Sequence, residues 1–108
     1  MGDIYDSNGV DAKLIAFVSD LVSVLNSGEQ LNKRYGGVHR VKNNVITALS
    51  NNMIFTRGHL QMFDGADWER FASISGEKIP LGVMVALKCC IKNDMDIPDF
   101  QEHYEICS

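Results

Sequence analysis

Residues 79–92 place the tightest constraint on the fold, because they form the most apolar run of the chain. Lys88 and Lys92 are the only charged side chains in this run, and their spacing of four residues puts both on one stripe of a helix. A helix that is apolar on nearly every other side belongs in the interior of a domain. We therefore expect this run to be a central helix, with the other elements packed around it.

A buried strand is the competing interpretation of the same run. The odd-numbered positions from Val83 to Ile91 are apolar, as one face of a strand would be. Three features favour the helix. Pro80 suits the first turn, where a backbone N–H is not needed, several good helix formers follow it, and Asn93 can end a helix in the left-handed region.

Apolar side chains recur at helical spacing in other parts of the chain, and short polar or glycine-rich segments separate these parts. The predicted helices cover residues 10–26, 29–35, 38–50 and 67–73, and a last helix begins at Pro98. Residues 53–63 fit either a short hairpin across Gly58 or a loop with one helical turn.

The fold that these patterns predict is all-α: a compact single globular domain over residues 1–108, built as a bundle of about five helices, some of them short. The alternative is an α+β domain with a small hairpin at 53–63 and a strand at 83–91.

Length and composition exclude several classes of protein. A chain of 108 residues with 45% apolar residues is long and apolar enough for one core, and no apolar run approaches the roughly 20 residues that span a bilayer. The acidic N-terminus lacks the apolar segment of a secretion signal. Three cysteines, two of them adjacent, make a poor disulfide framework, so we expect a reducing, cytoplasmic location and no membrane association.

The net charge of −4 is distributed unevenly, with a basic middle between acidic ends. Such a domain can present two faces of opposite sign to its partners. The predicted basic face consists of Lys33, Arg34, Arg40, Lys42 and Arg57. The predicted acidic face consists of Asp64, Asp67, Glu69, Asp94, Asp96, Asp99 and Glu102.

Zinc is the sharpest chemical hypothesis, because Cys90, His103 and Cys107 follow a C-x12-H-x3-C spacing. Cys89 adds a fourth candidate ligand, but the side chains of adjacent residues point apart, whereas zinc ligands converge on one ion. We therefore interpret Cys89 and Cys90 as core thiols and expect no metal and no cofactor. Cys107 with His103 is also the only local nucleophile pair, and it lies where few groups could build an oxyanion hole.

Because the sequence holds no phosphate loop, dinucleotide fingerprint or serine elbow, we expect a binding protein and not an enzyme. The predicted function is that of a small acidic intracellular protein that binds another protein, as inhibitors, immunity proteins and virus- or phage-encoded antagonists do. Candidate aromatic anchors for such contacts are Phe63, Trp68, Phe100 and Tyr104.

Two other functions stay open at this point. One is a nucleic-acid-binding module that uses the basic segment 33–57, and the other is a small zinc-stabilised domain. A homodimer is a further possibility, since a small domain with this apolar content can cover one face with a second copy.

Overall fold

The computed structural model describes residues 9–26 and 36–107, without the side chains of Glu77 and residues 103–107. The described part holds six α-helices, a short 3₁₀ turn at Gly76–Lys78, and no strand. In chain order the helices are α1 (Ala12–Leu25), α2 (Val38–Asn51), α3 (Arg57–Gln61), α4 (Gly65–Ser75), α5 (Leu81–Lys92) and α6 (Ile97–Cys107). The all-α prediction is therefore confirmed for the described residues.

The α+β alternative is wrong, because neither of its strand segments is extended. Residues 83–91 lie inside α5, and residues 53–63 form a loop followed by the single short helix α3. Thr56 explains the second result, since its hydroxyl accepts the N–H of His59 at 3.3 Å and so starts a helix where a hairpin turn would be needed. The predicted short helix at 29–35 lies outside the described residues.

The helices α1 and α5 form the centre of the structure. Helix α1 packs against α2, α5 and α6, whereas α5 packs against α1, α3 and α4. Both helices direct apolar side chains into one continuous core that also takes side chains from α2, α3, α4 and α6. The buried side chains of α5 are Val83, Met84, Ala86, Leu87, Cys90 and Ile91.

Neighbouring elements do not cover α5 as completely as its apolar sequence predicts. Leu81 and Val85 are 75% and 57% exposed, on the same side of the helix as the exposed lysines. The helix therefore has an inner face that builds the core and an outer stripe that faces solvent.

Residues with left-handed backbone angles end both α2 and α5. Met53 follows α2 with a φ of 59°, and Asp94 follows α5 with a φ of 51°. In each case the next residue donates its N–H to a carbonyl of the last helical turn, at 2.8 Å after α2 and 2.9 Å after α5. The residue that we expected in the left-handed region after α5, Asn93, instead has a φ of −98°.

Two aspartates determine where α4 begins. The N–H of Asp67 donates to the Asp64 carboxylate at 2.8 Å, and the Asp67 carboxylate in turn accepts the N–H of Asp64 at 3.2 Å. This capping box satisfies N–H groups that the first helical turn leaves free. The helix is therefore longer than the predicted residues 67–73, and it buries Trp68 and Phe71 in the core.

The two faces of α5 give a direct mutational comparison. We expect Leu87→Ala to lower the free energy of unfolding by about 2–5 kcal/mol, because it leaves a cavity at a side chain that is 1% exposed. The comparison variant Val85→Ala shortens an exposed side chain on the same helix. It should change the free energy of unfolding by no more than about 0.5 kcal/mol. Urea denaturation measures both values, and equal losses would contradict this orientation of α5.

Candidate binding surface

The predicted acidic residues are all exposed, and the structure divides them by what their carboxylates do. Asp64 and Asp67 cap α4, as described above. Asp94 and Asp96 lie near the guanidinium of Arg57. The remaining three, Glu69, Asp99 and Glu102, are exposed and form no ion pair within the described part of the chain.

Four of these acids lie two or three residues apart in one segment, which runs from the end of α5 into the first two turns of α6. We call Asp94, Asp96, Asp99 and Glu102 the acidic edge. Asp99 and Glu102 are three residues apart on α6, a spacing that makes two side chains neighbours on a helix surface. Like charges at that spacing repel each other, so a bound cation or basic side chain would relieve the repulsion.

Arg57 is a structural residue that connects three parts of the fold. Its guanidinium lies 4.6 Å from the centre of the Phe17 ring on α1. It donates to the carbonyl of Met95 at 2.9 Å, and its nitrogens lie 3.5 Å from Asp94 and 4.0 Å from Asp96. These are the only ion pairs among the residues that the structure describes. Through these contacts the guanidinium holds the first part of the acidic edge, from Asp94 to Asp96, against the rest of the fold.

The rest of the predicted basic face is described only in part. Arg40 is exposed and Lys42 is partly exposed, and both lie on α2. Lys33 and Arg34 lie outside the described residues. Of the predicted basic residues that the structure describes, Arg57 alone has a structural role within the chain.

Of the four candidate zinc ligands, the structure describes the side chains of Cys89 and Cys90. Cys89 is partly exposed, so the interpretation as a core thiol holds for Cys90 alone. Cys90 is fully buried, and this burial, together with the neighbouring Cys89 thiol, raises the pKa of the Cys90 thiol to about 11. The side chains of His103 and Cys107 lie outside the described part. Among the described side chains, no three His, Cys, Asp or Glu residues are placed together to hold a metal ion.

Of the predicted aromatic anchors, Trp68 and Phe100 are core residues, and their burial leaves them little area for contact with a partner. Phe63 is partly buried, and its ring centre lies 4.9 Å from that of Trp68 in an edge-to-face arrangement. The side chain of Tyr104 lies outside the described residues.

Sequence reasoning missed the exposed apolar side chains of α5. Leu81, Val85, Lys88 and Lys92 form what we call the outer stripe, and all four are exposed. The two lysines form no ion pair with any described residue. Their exposure could have been predicted from the sequence, because the helical spacing that puts the lysines on one stripe also places Leu81 and Val85 on it.

A groove of about 370 Å³ adjoins the outer stripe. Its lining includes Lys88, Lys92, Phe63, Trp68 and the helix-capping residue Asp64. The groove therefore combines the partly buried Phe63 ring with two ammonium groups and one carboxylate.

Gln61 connects α3 to the acidic edge, and an exposed methionine, Met62, follows it. The side-chain amide of Gln61 donates to the Asp94 carboxylate at 3.2 Å. The next residue, Met62, is 79% exposed. Methionine is a flexible apolar side chain that adapts to differently shaped partners, so this position offers exposed apolar area to a partner.

Comparisons with known proteins give no match: no family model, no curated protein and no solved structure is similar to this chain. Among the described residues, no helix has the length and apolar character needed to cross a bilayer.

The contacts of Arg57 predict a loss of stability on substitution. We expect Arg57→Ala to lower the free energy of unfolding by about 1–3 kcal/mol, because the Met95 carbonyl and the Phe17 ring lose their partner. Arg57→Lys keeps the charge but not the planar donor group, so it should restore only part of the loss. Thermal unfolding measures the effect, with exposed Arg40→Ala as the control. A shift in Arg40→Ala as large as that in Arg57→Ala would contradict the role of Arg57.

The two adjacent thiols should differ in reactivity. Alkylation requires the thiolate, and Cys90 is both inaccessible and protonated at pH values well below about 11. We expect iodoacetamide at mildly alkaline pH to label partly exposed Cys89 in the native protein and to label Cys90 only after unfolding. Peptide mass spectrometry reads both positions, and rapid native labelling of Cys90 would refute its placement in the core.

Proposed function

We propose that this protein is a small binding protein, and that its acidic edge contacts a basic region on another protein. The observation that carries the proposal is the charge balance of the edge. Four carboxylates are exposed in one short segment, and Arg57 is the only basic residue within ion-pairing distance of any of them in the described part of the chain. The excess negative charge is available to a partner.

The acidic edge would act mainly on the rate of association. The net charge of −4 attracts a basic partner over distances of about a Debye length, which is roughly 8–10 Å at physiological salt. Exposed charge pairs contribute little to affinity on their own, so short-range contacts have to hold the complex. The exposed side chain of Met62 offers apolar contact area of this kind.

Inhibitors, immunity proteins and phage-encoded antagonists are proteins of this type, and the proposal assigns no catalytic role to the chain. Nucleic-acid binding through the basic segment 33–57 is the alternative. Because Arg57 makes contacts within the fold, Arg40 and Lys42 are the described residues of that segment left to meet phosphates.

A charge reversal on the acidic edge tests the proposal. In affinity capture followed by stopped-flow measurement, we expect Asp99→Lys to slow association with the captured protein at least about fivefold at low salt. High salt should reduce the difference, because screening weakens the steering. The matched control is Asp20→Lys, which makes the same change at an exposed position on α1.

Each other outcome of this experiment has a defined meaning. Equal slowing by the two variants would show that net charge, and not the acidic edge, controls association. Recovery of nucleic acid that Arg40→Ala with Lys42→Ala abolishes would replace the proposal by its alternative. Stoichiometric zinc found by elemental analysis of the purified protein would support the zinc-stabilised domain.

A further inference from the structure

We infer that the outer stripe of α5 is a second binding surface, and that it takes an acidic amphipathic helix of a partner protein, antiparallel to α5. This surface ends at Lys92, two residues before the acidic edge begins at Asp94, and it has the opposite charge. The inference goes beyond the proposed function because it assigns a second site and the chemistry of its ligand.

The N-terminal half of the outer stripe is apolar. Leu81 and Val85 are one helical turn apart, so their exposed side chains are neighbours. The same helix buries Val83 and Leu87 almost completely, which shows that folding leaves the outer pair in water while it covers the inner residues. Removing adjacent apolar side chains from water favours association, so this half provides contact area for an apolar ligand surface.

The C-terminal half of the outer stripe is cationic. Lys88 and Lys92 are also one turn apart, and neither forms an ion pair with a described residue. Both side chains also border the groove that Phe63 and Trp68 line. A ligand in this half therefore meets two ammonium groups, and carboxylates are the groups that complement them. The Asp64 carboxylate lines the same groove but accepts the N–H of Asp67 as a helix cap, and the two ammonium groups outnumber it.

A second copy of this chain does not complement the stripe. Parallel pairing of two α5 helices would place Lys88 and Lys92 against the same lysines of the other copy, and like charges repel. Antiparallel pairing would place the lysines opposite Leu81 and Val85, which leaves the ammonium groups without anions. The ligand that fits both halves carries apolar side chains at one end and acidic side chains at the other.

The direction of the ligand follows from the helix dipole. Carboxylates stabilise the N-terminal turns of a helix, so an amphipathic helix forms best with its acidic residues in its N-terminal half. In an antiparallel arrangement those residues lie opposite Lys88 and Lys92, at the C-terminal end of α5. The stripe from Leu81 to Lys92 spans about 16 Å at 1.5 Å per residue, so three helical turns of the ligand are enough.

Three synthetic peptides of about 18 residues, long enough to populate a helix, test the inference. The first carries two glutamates four apart in its N-terminal half and two leucines four apart in its C-terminal half. The second has the two halves exchanged, and the third has lysines in place of the glutamates. Fluorescence anisotropy at low ionic strength should show binding of the first peptide, with affinities at least about tenfold lower for the other two.

Protein variants locate the contact. Lys88→Glu with Lys92→Glu should weaken binding of the glutamate peptide at least about tenfold and strengthen binding of the lysine peptide. Val85→Gln should weaken binding of the glutamate peptide, whereas Ile74→Gln, the same kind of change at an exposed apolar side chain on α4, should not. All of these positions are exposed, and circular dichroism checks that each variant folds.

The inference is overturned if the glutamate peptide does not bind, if all three peptides bind equally, or if Ile74→Gln weakens binding as much as Val85→Gln. If the doubly charge-reversed protein fails to fold, the comparison of Val85→Gln with Ile74→Gln decides the question. The experiment is independent of the proposed function, because the acidic edge repels a glutamate peptide and cannot be the source of its binding.

Discussion

The burial of one face of α5 is the interaction on which the rest of the structure depends. Six of its side chains enter the core, and the helix packs against α1, α3 and α4. Because those contacts fix the rotation of α5 about its own axis, they also fix which side chains are left in water. The core and the outer stripe are therefore two consequences of the same packing.

The position of the acidic edge depends on Arg57, just as the position of the outer stripe depends on the packing of the core. Helix α3 is too short to be stable alone, and Arg57 connects it to the Phe17 ring and to the Met95 carbonyl. This role could not be predicted from the sequence, since both partners are far from Arg57 along the chain. A basic residue among other basic residues in the sequence predicts a contact surface, whereas the neighbours of Arg57 in space give it a structural role.

The helices could be predicted largely because their apolar spacing is regular, and α2 and α5 match the expected bounds to within two residues. The start of α4 is different, because a capping box at Asp64 and not an apolar pattern determines it. The exposure of Leu81 and Val85 could have been predicted from the lysine positions. Their apolar character instead predicts burial, since a run that is apolar overall suggests burial on all sides although packing covers only the faces that neighbours reach.

The most direct test of this account measures how solvent reaches the two faces of α5. A soluble paramagnetic probe broadens methyl resonances according to their exposure, and Val83 and Val85 form a matched pair on one helix. The account predicts strong broadening at Val85 and Leu81, with Val83 and Leu87 protected. Equal broadening at the two valines, or stronger broadening at Val83, would contradict the orientation of α5 and with it the outer stripe.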